Sequence, residues 1–172
     1  MQMTNYDVLI VGGGSVGCAI AYALSRYDLT VAVAEKELDV GMGTSGRNSG
    51  VVHAGFNNRP GSLMAKLCVE GNEGFEALCK TLDIPYKKTG KLIVGYDEED
   101  RQALIKLKEQ GEKNGVKGLS IIDGDAIRAI EPDLPASWAM LSSNTAVFNP
   151  FLYSIHLAEA SAQNGVQYYL NS

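Results

Sequence analysis

A glycine-rich turn near the start of the chain carries the first residues whose types and spacing suggest chemistry. Gly12, Gly14 and Gly17 follow the pattern G-x-G-x-x-G. In this pattern the first glycine allows a tight turn, the second lets backbone amides approach a pyrophosphate, and the third lets a helix press against a strand. The pyrophosphate would lie at the N-terminus of the following helix, because free N–H groups and the helix dipole favour negative charge there. Ser15 and Val16 occupy that point.

A carboxylate stands where the next predicted strand ends. Glu35 lies 18 residues after Gly17, and Lys36 follows it. A carboxylate at this place can accept hydrogen bonds from the ribose hydroxyls of an adenosine, and it repels the extra phosphate of NADP. The glycine turn and Glu35 together predict binding of an ADP-containing dinucleotide, and they leave NAD and FAD open.

The elements around the turn have the order that this site requires. Residues 6–11 are a nearly unbroken apolar run, which is typical of a strand buried on both faces of a parallel sheet. We expect a helix over 15–27 and a second strand over 30–35, so that the three elements form one βαβ unit. In the helix, apolar residues at helical spacing predict one apolar stripe, formed by Val16, Ile20, Ala23, Leu24 and Tyr27. Small residues predict that the helix lies close to the sheet, namely Ala19, Ala21 and Ala23.

Residues 37–60 show no periodicity and are rich in Gly, Ser, Thr and Asn. A loop of this length inside a compact domain is usually functional.

The acidic run 97–100 is interpreted as the first turn of a helix, where carboxylates meet the positive end of the dipole, and not as a metal site. The further predicted elements are a helix over 62–82 with Leu63, Leu67, Leu78 and Leu82 on one stripe, a strand over 91–95, a helix ending near 114–115, a strand over 119–122, a short helix capped by Asp123, two short strands within 136–148, a helix capped by Asn149, and a strand over 166–170.

Composition and charge exclude several classes of protein. Apolar residues make up 45% and charged residues 20% of 172, which argues against disordered, collagen-like and coiled-coil chains. The formal net charge of −5 argues against a nucleic-acid partner. The longest apolar run, Val8 to Val11, is too short for an integral membrane segment, and residues 1–7 show no secretory signal. The three cysteines have no C-x-x-C spacing, which argues against a disulfide framework or zinc site.

The segments that follow Glu35 resemble one known family. These are the FAD-dependent oxidoreductases of the glycerol-3-phosphate dehydrogenase and L-2-hydroxyglutarate oxidase group, within the D-amino-acid-oxidase-like superfamily. The resemblance runs from about Tyr6 to the end of the chain. Its matching pieces are YDVLIVGGGSVG from residue 6, EK at 35–36, TSGRNSGVVHAG at 44–55, PGSLMAKLCVEGN at 60–72, TGKLIV at 89–94 and EP at 131–132.

The resemblance implies FAD as the cofactor and places the loop after the second strand beside its ribityl chain and isoalloxazine. The residues that it implies as cofactor contacts there are Gly43, Thr44, Ser45, Arg47, Asn48, Ser49 and Val52.

The resemblance also places His53 near the flavin ring. Imidazole changes protonation readily near neutral pH, so His53 could take the hydroxyl proton as a hydride leaves an alcohol. It could instead hydrogen-bond the flavin or hold the loop. His156 is interpreted as structural. Arg47 and Arg59 are the cations available for the FAD pyrophosphate or an anionic substrate, and the pyrophosphate is the expected partner of Arg47.

The predicted fold class is α/β, with a Rossmann-type FAD-binding βαβ unit and the beginning of an inserted α+β substrate domain. The predicted domains are 1–84 for the FAD-binding unit, flavin loop and following helix, 85–148 for the insertion, and 149–172 for the return to the FAD-binding domain. We expect the N-terminal portion of a longer flavoprotein.

The predicted function is oxidation of a small anionic alcohol, such as L-2-hydroxyglutarate or glycerol 3-phosphate, by hydride transfer to FAD. Amine or amino-acid oxidation, and an FAD-binding module without turnover, stay open as alternatives. Oxygen, a quinone or an iron–sulfur partner could accept the electrons. The predicted location is cytoplasmic, with peripheral membrane contact open, and no metal site is expected.

Overall fold

The computed structural model describes residues 5–172. The expectation that residues 1–7 carry no secretory signal therefore falls partly outside the described residues. Within the described part of the chain the elements follow one another as β1 (Val8–Val11), α1 (Ser15–Leu24), β2 (Val31–Glu35), a 3₁₀ helix (Thr44–Gly46), β3 (Val51–Val52), α2 (Leu63–Thr81), β4 (Tyr86–Lys87), β5 (Lys91–Gly95), α3 (Glu98–Lys113), β6 (Leu119–Asp123), α4 (Gly124–Ile130), β7 (Trp138–Ser142), β8 (Ala146–Phe148), α5 (Pro150–Gln163) and β9 (Gln167–Leu170).

The chain divides into two compact units. The first unit takes in the chain up to Gly50 together with Leu78–Tyr86 and Phe148–Ser172. The second unit takes in Val51–Ala77 and Lys87–Val147. The domain limits at 1–84, 85–148 and 149–172 stay a prediction.

A parallel sheet of order β1–β2–β9 organises the first unit. Val8 lies opposite Val31, and Ala32 lies opposite Gln167, so all three strands run in one direction. The two strands β1 and β2 are joined through α1, which is the predicted βαβ unit. A core of apolar side chains connects α1 to this sheet, and its buried members are Ile10, Ala21, Val31, Val33 and Val166.

The buried face of α1 is not the predicted stripe. Val16 is 73% exposed and Ile20 44% exposed, whereas Gly17, Cys18 and Ala21 are buried. The reason is steric, because a Cβ at position 17 would lie 1.9 Å from the carbonyl oxygen of Gly12. Where the helix lies this close to its strand there is room only for small residues, so the prediction of close approach is right for Ala21. Of the predicted stripe, Leu24 packs against the core, whereas Val16, Ile20, Ala23 and Tyr27 are exposed, so the stripe is wrong for these four.

The stripe predicted for α2 is also wrong in its N-terminal half. Leu63 and Leu67 are exposed, while Ala65 is buried and Val69 packs into the core of the second unit. Leucines at helical spacing therefore did not identify the inner face of this helix.

An antiparallel sheet of order β5–β7–β6 organises the second unit. Lys91 and Leu119 both lie opposite Ser142, which fixes the register of the outer strands on the central one. A core beneath this sheet has the buried members Ala54, Phe56, Leu104, Val116 and Met140. A parallel βαβ sheet followed by an antiparallel one confirms the predicted fold class.

Side chains cap three of the helices, and two of these caps, Asp123 and Asn149, were predicted. Asp97 accepts from the N–H of Asp100, Asp123 from that of Ala126, and Asn149 from the N–H groups of Phe151 and Leu152. The acidic run 97–100 is therefore a capped first turn of α3, as predicted. Within residues 5–172 no group of three or more His, Cys, Asp or Glu is placed to hold a metal ion.

Three short elements were not predicted. They are the 3₁₀ helix at Thr44–Gly46 and the two-residue strands β3 and β4. An element of two or three residues is too short to show a periodicity in the sequence. Among the described residues no helix has the length and apolar character needed to cross a bilayer.

Candidate functional site

The glycine turn joins β1 to α1 within the first unit. β1 ends at Val11 and α1 begins at Ser15, with Gly14 as its N-cap residue and no side-chain cap. Gly12 has φ +104°, a left-handed conformation that favours glycine. The turn therefore has the strand–glycine–helix form that exposes backbone N–H groups at a helix N-terminus.

A serine oxygen lies at this helix N-terminus. The N–H of Ser15 donates to Oγ of Ser45, from the 3₁₀ helix, over 3.0 Å. An oxygen acceptor thus already occupies one of the N–H groups that would face a pyrophosphate. A Cβ at Gly14 would lie 2.9 Å from the same Oγ, so a side chain at position 14 would fill this space. The turn fits the pyrophosphate of a dinucleotide because it combines backbone N–H donors, the positive end of the helix dipole and a Gly14 that has no side chain.

Glu35 ends β2 beside the glycine turn. It is 9% exposed, and its carboxylate accepts from the N–H of Gly13 at 2.5 Å and from the N–H of Glu37 at 2.9 Å. The hydrogen bond from Glu37, followed by that from Gly13, holds the pKa of Glu35 below its usual value. Each carboxylate oxygen has a second lone pair, so the ionised group can still accept from ribose hydroxyls.

Sequence reasoning missed the part that Gly13 plays here. Its N–H binds Glu35, and its carbonyl accepts from the N–H of Gly41 at 2.9 Å and from the thiol of Cys18 at 3.3 Å. A run of three glycines was the only sequence signal for this position. Cys18 is fully buried, and this burial raises the pKa of its thiol to about 11.

Asn48 closes the loop that carries Ser45. Its Nδ2 donates to the carbonyls of Thr44 at 3.2 Å and Ser45 at 2.8 Å, and its Oδ1 accepts from the N–H of Gly50 at 2.9 Å. The amide of Asn48 therefore has a structural task in addition to the predicted cofactor contact. The other cofactor contacts predicted in this loop lie in the first unit and are exposed: Gly43, Thr44, Arg47 and Ser49. Lys36 is exposed as well, and its Nζ lies 3.6 Å from Oε1 of Glu37.

Two predicted site residues belong to the second unit. Val52 is buried in β3, where it pairs with Ala146. His53 follows β3 directly and is exposed. The structure thus brings together Gly12 to Gly17, Glu35 and Ser45 in one unit, and it presents His53 on the surface of the other.

The interpretation of His156 as structural is confirmed. Its Nδ1 lies 2.6 Å from the carbonyl oxygen of Leu82. Since a carbonyl oxygen can only accept, Nδ1 is the donor of this hydrogen bond. This contact joins α5 to the C-terminal end of α2 within the first unit.

The family model described as FAD dependent oxidoreductase matches residues 7–172. The chain belongs to this family. This confirms both the resemblance and the predicted cofactor, FAD.

Relatives and solved structures agree with this membership. A glycerol 3-phosphate dehydrogenase of Caloramator mitchellensis is 38% identical over 97% of this chain and 35% of its own length. The mitochondrial L-2-hydroxyglutarate dehydrogenase of Nematostella vectensis is 47% identical over 83% of this chain and 32% of its own. The chain thus spans about a third of the length of the curated relatives it matches.

Among solved structures, the dithionite-reduced L-alpha-glycerophosphate oxidase of Mycoplasma pneumoniae with FAD bound superposes with a TM-score of 0.89. The two sequences are 35% identical, and the match covers 98% of this chain and 45% of the oxidase chain. The glycine oxidase of Geobacillus kaustophilus superposes with a TM-score of 0.86 at 25% identity, over 96% of this chain and 46% of that one.

The buried carboxylate of this flavoprotein should make its stability pH-dependent. Because the folded state lowers the pKa of Glu35, its stabilisation is complete above the ordinary value of 4.5 and is lost as pH falls through the lower folded value. We expect Glu35→Gln to flatten the acid side of a plot of unfolding midpoint against pH, measured from about pH 3 to 7. Glu76→Gln, at an exposed position, is the control. Equal acid slopes for the wild type and Glu35→Gln would contradict this role.

Gly14→Val should separate folding from cofactor binding. The backbone at Gly14 is extended, with φ −76° and ψ 180°, so valine fits the main chain, and the Ser45 side chain, which accepts from the N–H of Ser15, must shift. The added methyl groups would occupy the space in front of the helix N-terminus. We expect a folded protein that purifies without flavin absorbance, and Gly71→Val, at a helical glycine with open space, as the yellow control. A fully yellow Gly14→Val protein would show that FAD binds elsewhere.

Proposed function

We propose that this chain is the FAD-binding part of an oxidoreductase that oxidises a small anionic alcohol. Glycerol 3-phosphate and L-2-hydroxyglutarate are the leading candidates. The names of the two relatives at 38% and 47% identity support this choice of substrate class. The observation that supports FAD binding in this proposal is the glycine turn with Ser45 and Glu35 beside it.

Each residue of the turn has a definite task in this proposal. The N–H groups at the start of α1 hold the pyrophosphate, with Ser15 and Ser45 at its edge. Glu35 accepts from the ribose hydroxyls and excludes a phosphorylated ribose by charge repulsion. Gly14 stays without a side chain so that the backbone can come close. When bound, FAD supplies the two-electron acceptor for the hydride.

His53 is the proposed base. Oxidation of a secondary alcohol releases a hydride from carbon and a proton from the hydroxyl group, and a carbonyl product remains. The proton needs an acceptor, and an exposed imidazole offers a nitrogen lone pair for it. His53 lies in sequence only three residues after Gly50, at the end of the loop that carries Ser45.

An anionic substrate also needs a cation. Arg47 and Arg59 are exposed, in the first and second units respectively. We assign Arg47 to the pyrophosphate and Arg59 to the substrate anion, because a guanidinium binds phosphate or carboxylate with two parallel hydrogen bonds.

Amine oxidation is the second candidate. The likeness to a glycine oxidase at 25% identity and a TM-score of 0.86 favours it, because the same fold carries that activity in the other protein.

The acceptor that reoxidises the flavin is proposed to be oxygen, a quinone or an iron–sulfur protein.

A substrate panel tests the proposal. The full-length, FAD-loaded protein that contains this chain is mixed anaerobically with glycerol 3-phosphate, L-2-hydroxyglutarate, its D enantiomer and glycine, and the flavin absorbance is followed. We expect bleaching by one of the first two compounds, and the D enantiomer serves as the control for stereochemistry. Bleaching by glycine alone would establish the second candidate, and no bleaching by any compound would refute the proposed substrate class.

His53→Ala tests the proposed base. Removal of a general base costs about 10²–10⁴-fold in rate. We expect the variant to keep FAD, because the turn in the first unit is untouched, and to reduce its flavin more slowly on that scale. His156→Ala, at the structural histidine, is the comparison: it should lower the unfolding midpoint and leave the reduction rate of the folded protein near wild type. An unchanged rate in His53→Ala would remove His53 from the mechanism.

A further inference from the structure

The His53–Asn58 segment, residues 53–58, leaves β3 without becoming a helix or a strand, and side chains hold its backbone instead. Three amide side chains on α2 and at α3 donate to its carbonyl groups within the second unit. The bonds run from Asn72 Nδ2 to the His53 carbonyl (3.4 Å), from Gln110 Nε2 to Phe56 (3.1 Å), and from Asn114 Nδ2 to Gly55 (3.0 Å) and Asn58 (2.8 Å).

Packing also fixes this segment. Ala54 and Phe56 are buried, whereas His53 between β3 and Ala54 is exposed. Gly55 has φ +96°, and a Cβ there would lie 3.1 Å from Val69 Cγ2 and 3.2 Å from the Cβ of Cys68. The backbone therefore rests directly on α2, and it turns the His53 side chain outward.

Of the three amides, Asn72 is the one that donates to the main chain of His53 itself. Its Nδ2 also donates to the carbonyl of Asn144 at 2.9 Å, in the turn between β7 and β8. One amino group has two hydrogens, and two carbonyls accept them. Asn72 thus ties the main chain of His53 to a turn that is 91 residues away in the sequence.

We propose that Asn72 is a positioning residue for His53: its amide sets the main chain from which the imidazole projects. This inference rests on the proposed function, since it needs His53 to act on a substrate. A base must lie within hydrogen-bond reach of the proton that it accepts, and a shift of about 1 Å can cost about 10²-fold in rate.

The test exchanges the amide for a carboxylate of the same shape. Asn72→Asp replaces a donor by an acceptor that faces two carbonyl oxygens, so both hydrogen bonds are lost. We expect the limiting rate of anaerobic flavin reduction to fall by about 10- to 100-fold while FAD stays bound. Asn72→Gln keeps an amide donor and should recover most of the rate. Asn57→Asp, at an exposed residue of the same segment, adds the same charge and should stay near wild type.

A double-mutant cycle separates positioning from general destabilisation. If Asn72 acts through His53, then Asn72→Asp should change the residual rate of His53→Ala by less than about twofold. Equal losses in the wild-type and His53→Ala backgrounds would overturn the inference, since the amide would then act without the imidazole. An unaffected rate in the wild-type background would overturn it as well.

Hydrogen–deuterium exchange supplies a readout that needs no turnover. Peptides covering residues 51–58 should exchange faster in Asn72→Asp than in the wild type and in Asn57→Asp. Unchanged exchange overturns the inference whatever the kinetics show. A wild-type protein that no compound of the panel reduces refutes the proposed substrate class instead, and the exchange experiment then decides alone whether Asn72 holds the segment.

Discussion

The close approach of α1 to β1 is the constraint on which the first unit depends. A side chain at Gly17 would collide with the carbonyl of Gly12, so the helix can start at Ser15 only because position 17 carries none. That start places the positive end of the helix at the end of the strand. Ser45 can then reach the first N–H group, and Glu35 can reach the N–H of Gly13. The geometry offered to the cofactor thus follows from one steric requirement.

The second unit holds its site segment by a different means. In the glycine turn, side-chain oxygens of Glu35 and Ser45 accept from backbone N–H groups. In the segment after β3, amide side chains donate to backbone carbonyls, and Gly55 contacts α2. Backbone carbonyls near a surface need donors, and side chains supply them where no strand is alongside. Such a segment can present a side chain such as His53 without becoming a strand or a helix.

The two units therefore divide the chemistry in the function that we propose. The first unit provides donors and a carboxylate for the ADP half of FAD, and these groups are common to dinucleotide-binding turns. The second provides His53, whose task depends on the substrate. This division explains why family membership follows readily from the chain while the substrate is a matter for experiment.

The sequence by itself determined the elements that repeat a local rule. The glycine spacing, the strands β1 and β2, and the caps at Asp123 and Asn149 each depend on residues that are neighbours in the chain, and the structure confirms them. It does not confirm that β1 is buried on both faces, because Leu9 and Val11 are exposed. For the site, the spacing of Gly17 and Glu35 was sufficient to predict an ADP-binding turn, and the resemblance selected FAD.

Only the tertiary structure decided which side chains meet across long distances in the sequence. The periodicity of the sequence predicted the bulky residues Val16 and Ile20 on the inner face of α1. The short distance between the helix and β1 instead leaves room there only for a residue without a side chain, Gly17. The bond from Ser45 to the helix start and that from Asn72 to Asn144 join residues on separate elements. No local pattern encodes such contacts, because they depend on how the finished elements pack.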